Sequence, residues 1–196
     1  MSTIDFHFDA ICPYTWITSR WLVEAAGKED IEIRWRPMSL AILNDQSADD
    51  GGSHEFSRRV QRVMHHLHEQ QRHDEAGVIY TAIGEKLFLE GVDATPNLID
   101  SILEAVGHAD LIEVSLDNSL DDGVDGEHER AMGLVGKNVG TPTIVFEDGN
   151  AIFGPVVNPA PKGDEAVRLL HLTRELVAMD TFFELKRTRI GDLDYT

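Results

Sequence analysis

The sequence predicts one α/β domain that carries an inserted block of helices. Strand-like alternation of apolar and polar residues occurs near both ends of the chain, whereas its middle has the residue spacing of amphipathic helices. No linker rich in proline or serine separates the two regions, so an insertion is a simpler explanation than a second domain. We therefore predict that residues 1–44 and 136–196 form the α/β domain and that residues 45–135 form an α-helical insertion.

The first structural unit is predicted to be a strand, a helix and a second strand. Residues 3–8 alternate between apolar and polar side chains, as expected of a half-buried strand. Pro13 suits the first position of the following helix, and Gly27 suits its C-terminal cap. Alternation returns at residues 31–37. Such a unit normally makes a right-handed crossover between parallel strands, which places the carboxyl ends of both strands at one edge of the sheet.

The remaining predicted elements are five helices, a hairpin and a last helix. The run Glu-Asp-Gly-Asn at 147–150 is typical of a hairpin turn and joins predicted strands at 143–146 and 151–153. Amphipathic spacing predicts a last helix at 163–179. The same spacing predicts the helices of the insertion, which lie at 55–75, 79–90, 96–106, 109–120 and 127–135.

The charge balance argues against nucleic acid and membrane surfaces as partners. The chain has 17 basic and 35 acidic side chains, and its net charge of −18 repels phosphate backbones and anionic lipid headgroups. No apolar run approaches the roughly 20 residues that span a bilayer, and the N-terminus has neither a basic region nor a signal-peptide cleavage site. We therefore expect a cytoplasmic protein.

A single cysteine, Cys12, is the strongest candidate for chemistry. Because it is alone, it excludes an intrachain disulfide and a metal site built from several cysteines. The run Cys12-Pro13-Tyr14-Thr15 lies at a strand-to-helix junction, where free backbone N–H groups and the helix dipole favour the thiolate. Thr15, one helical turn on, is placed to donate a hydrogen bond to the sulfur. The alternative is a small buried apolar side chain, a common fate of a lone cysteine.

Other residues at the same sheet edge are candidates for binding. The segment 38–44 follows the second strand, so Ser39 and Asn44 could supply polar contacts in a substrate pocket, or the segment could serve packing alone. Tyr14 should project from the junction and could contact an aromatic substrate. Trp16 and Trp21 follow the apolar helical pattern, and we expect both in the core.

Two clusters of charged or metal-binding residue types have competing interpretations. His65, Glu69 and His73 have the i, i+4, i+8 spacing of one helix face, but ligands about 6 Å apart do not converge on one ion. We therefore predict no metal.

The basic residues of the run 182–189 either bind an anionic group of a substrate or cofactor, or pair with the acidic surface.

Several longer runs carry a resemblance to a known family. The cysteine motif after a first strand, the inserted helices and the Gly-Thr-Pro run before a hairpin resemble the DsbA-like branch of the thioredoxin fold. More narrowly, the chain resembles the mycothiol-dependent nitroreductases in the runs CPYTWITSRW at 12–21, MSLAILN at 38–44, VGTPTI at 139–144, FGPV at 153–156 and FFELKRTR at 182–189.

The resemblance implies a thioredoxin-like fold with an inserted α-helical domain and a nucleophilic Cys12. It also implies a cis peptide bond before Pro142, whereas the residues alone favour an ordinary trans bond. A cis bond would turn the backbone of Thr141 toward the thiol, where an extended ligand could pair with it. Mycothiol, or another low-molecular-weight thiol, is the implied reductant, and nitro compounds are the implied electrophiles.

This chain departs from the wider DsbA-like pattern at Thr15, where many members have a second cysteine. Without that thiol, a mixed disulfide at Cys12 must be resolved by a second external thiol. One alternative is an enzyme related to kappa-class glutathione transferases and hydroxychromene-carboxylate isomerases, which would activate the thiol of a bound cofactor. Another is a binding protein without catalysis. The sequence leaves the oligomeric state open, a homodimer included.

Overall fold

A computed structural model describes residues 2–196 and contains a four-stranded mixed sheet with the strand order β2-β1-β3-β4. The central strand β1 (Ser2–Phe8) is parallel to β2 (Ile31–Pro37) and antiparallel to β3 (Thr143–Phe146). The last strand, β4 (Ala151–Phe153), pairs antiparallel with β3 to complete the hairpin. The four predicted strands and the parallel first pair are therefore confirmed. The expectation that residues 3–8 form a half-buried strand is wrong, because residues 4–8 are buried on both faces of this central strand.

The helices lie between and after these strands. A π-helical turn, Glu85–Leu89, continues the fourth helix, and a 3₁₀ turn, Asn118–Leu120, precedes the seventh. Within residues 2–196, no helix is both long enough and apolar enough to cross a bilayer. The α-helices are α1 (Pro13–Glu29), α2 (Leu40–Leu43), α3 (Ser53–Glu69), α4 (His73–Gly84), α5 (Leu98–Ala105), α6 (Leu111–Leu116), α7 (Asp121–Val135) and α8 (Gly163–Val177).

One hydrophobic core joins the sheet to the inserted helices. Trp16 and Trp21 of α1 are buried in it, as predicted. Tyr80 of α4 is fully buried, and its ring centroid lies 4.1 Å from that of Phe8 on β1 and 5.2 Å from that of Trp35 on β2. Aromatic rings at these separations pack favourably and bury large apolar areas. The helices that follow β2 therefore pack against the sheet and stabilise it.

Ion pairs tie α7 to the edge of the sheet. Arg36 of β2 makes two hydrogen bonds of 2.6 Å to the carboxylate of Glu127 on α7 and a third contact of 3.2 Å to Asp5 on β1. Arg130 of α7 lies 3.4 Å from the same Asp5 oxygen. Burial raises the pKa of Glu127, but its bonds to Arg36 outweigh burial and lower this pKa overall. The carboxylate therefore stays charged and holds α7 against β2.

The structure corrects the predicted ends of α1 and α7. Gly27 lies inside α1, and the helix is capped by Asp30, which has a φ of 53°. A short polar side chain tolerates this left-handed conformation, so glycine is not required at the cap. The predicted start of the seventh helix at Glu127 is also wrong, because α7 begins at Asp121. Acidic residues in a first helical turn interact favourably with the helix dipole.

The predicted helix at 55–75 is two helices. Helix α3 ends at Glu69, Gln71 has a φ of 58°, and α4 begins at His73. The break turns the chain so that both Val63 of α3 and Tyr80 of α4 are fully buried. The left-handed conformation of Gln71 cannot be part of a right-handed helix, so the predicted helix ends before it.

The backbone register brings the loop after β1 to the loop before β3. His7 pairs with Thr143, so the antiparallel β3 begins beside the carboxyl end of β1. The N–H of Met38, just after β2, donates a hydrogen bond of 2.8 Å to the carbonyl of Phe8. Three loops therefore meet at one edge of the sheet, where the sequence predicted a site.

Candidate active site

Cys12 occupies the N-cap position of α1. Its backbone is extended, with a φ of −84° and a ψ of 113°, and Pro13 follows at the start of the helix. The Cys12 side chain makes no capping hydrogen bond, and 9% of the residue is exposed. The sulfur therefore lies at the positive end of the helix dipole.

Thr141 and Thr15 complete the surroundings of the thiol. The sulfur of Cys12 lies 4.0 Å from the carbonyl oxygen of Thr141. Thr15 is fully buried, and its hydroxyl donates a hydrogen bond of 2.8 Å to the hydroxyl of Thr141. The peptide bond between Thr141 and Pro142 is cis. The structure thus brings together four of the predicted site residues, from two distant parts of the chain.

The hydrogen bond from Thr15 differs from the one that the sequence predicted. The spacing suggested that the Thr15 hydroxyl would donate to the Cys12 sulfur, but its hydrogen is used by the Thr141 hydroxyl instead. An oxygen is a stronger acceptor than a sulfur, and the Thr141 hydroxyl lies 2.8 Å from that of Thr15. Thr15 is therefore linked to the thiol only indirectly. It is hydrogen-bonded to Thr141, whose carbonyl oxygen faces the sulfur.

A buried carboxyl group beneath the site, Asp9, was missed by the sequence analysis. One oxygen of Asp9 accepts hydrogen bonds from the N–H of Ile11 and the hydroxyl of Ser57, and the other accepts from the N–H of Leu40 and the amide of Gln61. Asp9 is 1% exposed, and burial raises its pKa despite these bonds. It therefore links the cysteine loop to the loop after β2 and to α3.

The sequence contained one signal that could have revealed Asp9. It follows Phe8, the last residue of the buried strand β1, and stands three residues before Cys12. Its carbonyl oxygen also accepts a hydrogen bond of 3.1 Å from the N–H of Cys12. An acidic side chain between an apolar strand and a candidate nucleophile can accept hydrogen bonds from backbone N–H groups of the loop that joins them.

The two polar candidates of the segment 38–44 lie at the same edge but make no hydrogen bond to Cys12. The hydroxyl of Ser39 caps α2, accepting from the N–H of Ile42 at 3.3 Å, and its own N–H donates to His128 at 3.3 Å. Asn44 is exposed and lies at the C-terminal end of α2. Their proposed roles in substrate binding remain predictions.

Tyr14 projects from the first turn of α1, as expected, and is half-buried. The guanidinium of Arg189, near the other end of the chain, lies 4.4 Å from the centroid of the Tyr14 ring. A cation over an aromatic face at this distance is attracted by the ring. The C-terminal segment therefore passes beside the cysteine loop, a proximity that no local pattern predicted.

The histidines of the insertion do not share one helix face as the spacing suggested. His65 and Glu69 lie on α3, but His73 begins α4 after the break. The rings of His68 and His73 are 5.3 Å apart, and burial lowers the pKa of both. Within residues 2–196, no group of three histidine, cysteine, aspartate or glutamate side chains is arranged to hold a metal ion.

Comparisons with known proteins point to one family and one fold. A family model for the mycothiol-dependent nitroreductase Rv2466c matches residues 11–187. The uncharacterized protein Rv2286c of Mycobacterium tuberculosis is 30% identical over 201 residues, which cover 96% of this chain and 83% of that protein.

Two solved structures have the same architecture. The cytosolic disulfide reductase DsbM from Pseudomonas aeruginosa with GSH has a TM-score of 0.59 at 16% identity, over 89% of this chain and 100% of that one. A 2-hydroxychromene-2-carboxylate isomerase has a TM-score of 0.59 at 18% identity, over 88% of this chain and 93% of that one. At such identities the likeness shows the fold alone, which is the predicted DsbA-like thioredoxin fold.

Proposed function

Because the chain belongs to the family of the mycothiol-dependent nitroreductase Rv2466c and is a thiol-dependent oxidoreductase, we propose that it is a monothiol reductase of small electrophiles. Cys12 forms a mixed disulfide with a low-molecular-weight thiol, of which mycothiol is the family's example. Nitro compounds are the proposed electrophiles, and the cytoplasm, where such thiols are kept reduced, is the proposed compartment. The observation that carries the proposal is the lone sulfur of Cys12 at the N-terminus of α1, facing the Thr141 carbonyl.

The proposed reaction moves two electrons for each pair of thiols. In the first step the sulfur of Cys12 and one external thiol RSH together supply two electrons and two protons to a nitro group. The nitro group becomes a nitroso group and one water is released, while Cys12 and the thiol are joined as a mixed disulfide. In the second step a second RSH attacks the mixed disulfide, which releases the Cys12 thiol and the disulfide RSSR.

The surroundings of Cys12 support a mechanism with one protein thiol. Position 15, from which a second cysteine would attack, holds a buried threonine whose hydroxyl is bonded to Thr141. Resolution of the mixed disulfide is therefore left to a thiol from solvent. The 9% exposure of the residue supports contact with a small molecule from solvent.

The loop that carries Thr141 supports binding of the thiol beside Cys12. Its carbonyl oxygen lies 4.0 Å from the sulfur and is an acceptor for a peptide-like N–H of an extended ligand. Pro142 lies in this loop just before β3, and Pro13 and Tyr14 are proposed further contacts of the thiol. Ser39 and Asn44 are proposed polar contacts at the more distant end of the same edge.

The proposal is tested with Cys12→Ser and a panel of thiols. The purified protein is incubated with a nitroaromatic compound and each of mycothiol, glutathione and coenzyme A, and nitro-group consumption is measured. We expect turnover with at least one thiol, one thiol adduct per chain by mass spectrometry, and loss of both in Cys12→Ser. Turnover that survives Cys12→Ser would overturn covalent participation and assign the reactive thiolate to a bound cofactor.

A second variant tests whether activity requires a thiol at position 12 or only a thiol somewhere in the chain. Ser47 is exposed in the loop after α2, away from any helix N-terminus. The double variant Cys12→Ser with Ser47→Cys keeps one thiol in the chain but moves it away from the site. We expect this variant to be as inactive as Cys12→Ser. Equal activity of the double variant and the wild type would mean that any accessible thiol suffices.

A further inference from the structure

The C-terminal segment contains positive charges that the rest of the protein does not neutralise. We define the cationic segment as Lys186–Arg189, in which Thr188 is the one uncharged residue. All four residues are exposed, and within residues 2–196 no carboxylate forms a salt bridge with Lys186, Arg187 or Arg189. This lack of pairing disfavours the interpretation that these cations serve only to pair with the acidic surface.

The cationic segment contacts the first turn of α1, the helix that Cys12 caps. The guanidinium of Arg189 is 4.4 Å from the ring centroid of Tyr14, which is two residues from Cys12 in the first turn of α1. The ring occupies a face of the guanidinium, so the N–H groups along its edge remain able to bind a carboxylate or phosphate. The four residues of the segment surround a shallow, open surface depression.

We propose that the cationic segment recognises an anionic group, a carboxylate, sulfonate or phosphate, on a small molecule that reacts at Cys12. This inference rests on the proposed function and specifies the substrate class. The acidic surface, with a net charge of −18, disfavours the approach of anions, and solvent ions screen the effect of charges more than about 10 Å away. Only cations close to the thiol can offset this repulsion, and the cationic segment supplies them. The anionic group belongs to the thiol or to the electrophile.

The local potential at Cys12 can be measured without any assumption about turnover. Methanethiosulfonate reagents form a mixed disulfide with Cys12 and release methanesulfinate, and they exist in anionic, neutral and cationic forms. The readout is the ratio of the labelling rates of the sulfonatoethyl and trimethylammonioethyl reagents at low salt. In the triple variant Lys186→Gln, Arg187→Gln, Arg189→Gln we expect this ratio to fall about fivefold, with the neutral reagent little changed.

Two further variants control for charge and for position. Arg189→Lys keeps the positive charge, and we expect it to retain most of the wild-type ratio. Lys28→Gln removes one positive charge from the far end of α1, roughly 24 Å from Cys12, and should leave the ratio unchanged. A ratio that is the same in the triple variant and the wild type overturns the proposal, and so does a Cys12 that reacts with none of the reagents.

Matched substrates distinguish the source of the anionic group. The wild type and the triple variant are compared with 4-nitrobenzoate and 4-nitrobenzamide, and with N-acetylcysteine and its amide. A loss of kcat/KM confined to 4-nitrobenzoate assigns the anion to the electrophile, and a loss confined to N-acetylcysteine assigns it to the thiol. Equal effects on charged and neutral members of both pairs overturn the proposal. If the labelling ratio is lower in the triple variant but no substrate is turned over, the anion site is supported and the proposed function is contradicted.

Discussion

Replacing His7 should remove part of the protein's sensitivity to acid. His7 lies on β1 with no exposed surface, and neither ring nitrogen has a hydrogen-bond partner within residues 2–196. Burial is the main cause that lowers the pKa of His7 from 6.5 to about 4, because a buried imidazolium loses its hydration. The neighbouring charges act in both directions: Glu127 and Asp5 raise this pKa, whereas Arg36 and Arg130 lower it.

The sign and size of the effect follow from the two pKa values. Between pH 6.5 and pH 4 the unfolded chain binds a proton at His7 that the folded protein rejects, so the free energy of unfolding decreases as the pH falls. The decrease is complete below pH 4, where both states are protonated. The difference between 6.5 and about 4 corresponds to about 3 kcal/mol in total, of which about 2 kcal/mol is lost by pH 5.

The assay is urea unfolding of the wild type and His7→Phe at pH 7.5 and pH 5.0. Phenylalanine fits a buried strand position and does not titrate, and any packing change contributes equally at both pH values. We expect the free energy of unfolding to decrease by about 2 kcal/mol less in His7→Phe than in the wild type. His171→Gln, which removes an exposed histidine of α8, should behave as the wild type. Equal losses in His7→Phe and the wild type would refute the reasoning.

Three further predictions concern the site and its support. Thr15→Cys should form an internal disulfide with Cys12 on oxidation, so a thiol titration that still finds two free thiols would contradict the arrangement. Gly84→Ala should lower the stability by about 1 to 3 kcal/mol in a thermal melt, because a Cβ there overlaps the ring of Trp16, and an unchanged Tm would contradict this packing. Asp9→Asn should lower the free energy of unfolding by about 2 kcal/mol, because an amide has one acceptor oxygen for four donors, and a loss below about 0.5 kcal/mol would show that the network is dispensable.

The sheet and the start of α1 were predictable because their signals are local. Alternation of apolar and polar residues in the sequence marks β1 and β2, and Pro13 marks the first turn of the helix. The position of Cys12 at that junction follows from these two signals alone. The bounds of the insertion, and the roles assigned to residues around the thiol, remain predictions.

The contacts that shape the site were not predictable, because they join distant parts of the chain. Asp9 binds Ser57, 48 residues away, and Thr15 binds Thr141, 126 residues away. The pattern of either partner alone does not identify the other. The break between α3 and α4 was missed for a similar reason, since it depends on which side chains the sheet leaves room to bury rather than on Gln71 itself.

The three tryptophans give this protein a built-in optical reporter. Trp16, Trp21 and Trp35 are all buried, with exposures of 2%, 0% and 4%, so its indole emission arises from the interior. Trp16 stands one helical turn beyond Cys12, and the guanidinium of Arg20 lies 4.1 Å above its ring. Attachment of a quenching group to the sulfur thus changes fluorescence next to the point of attachment. Adduct formation and release can be followed by stopped flow on the unlabelled molecule.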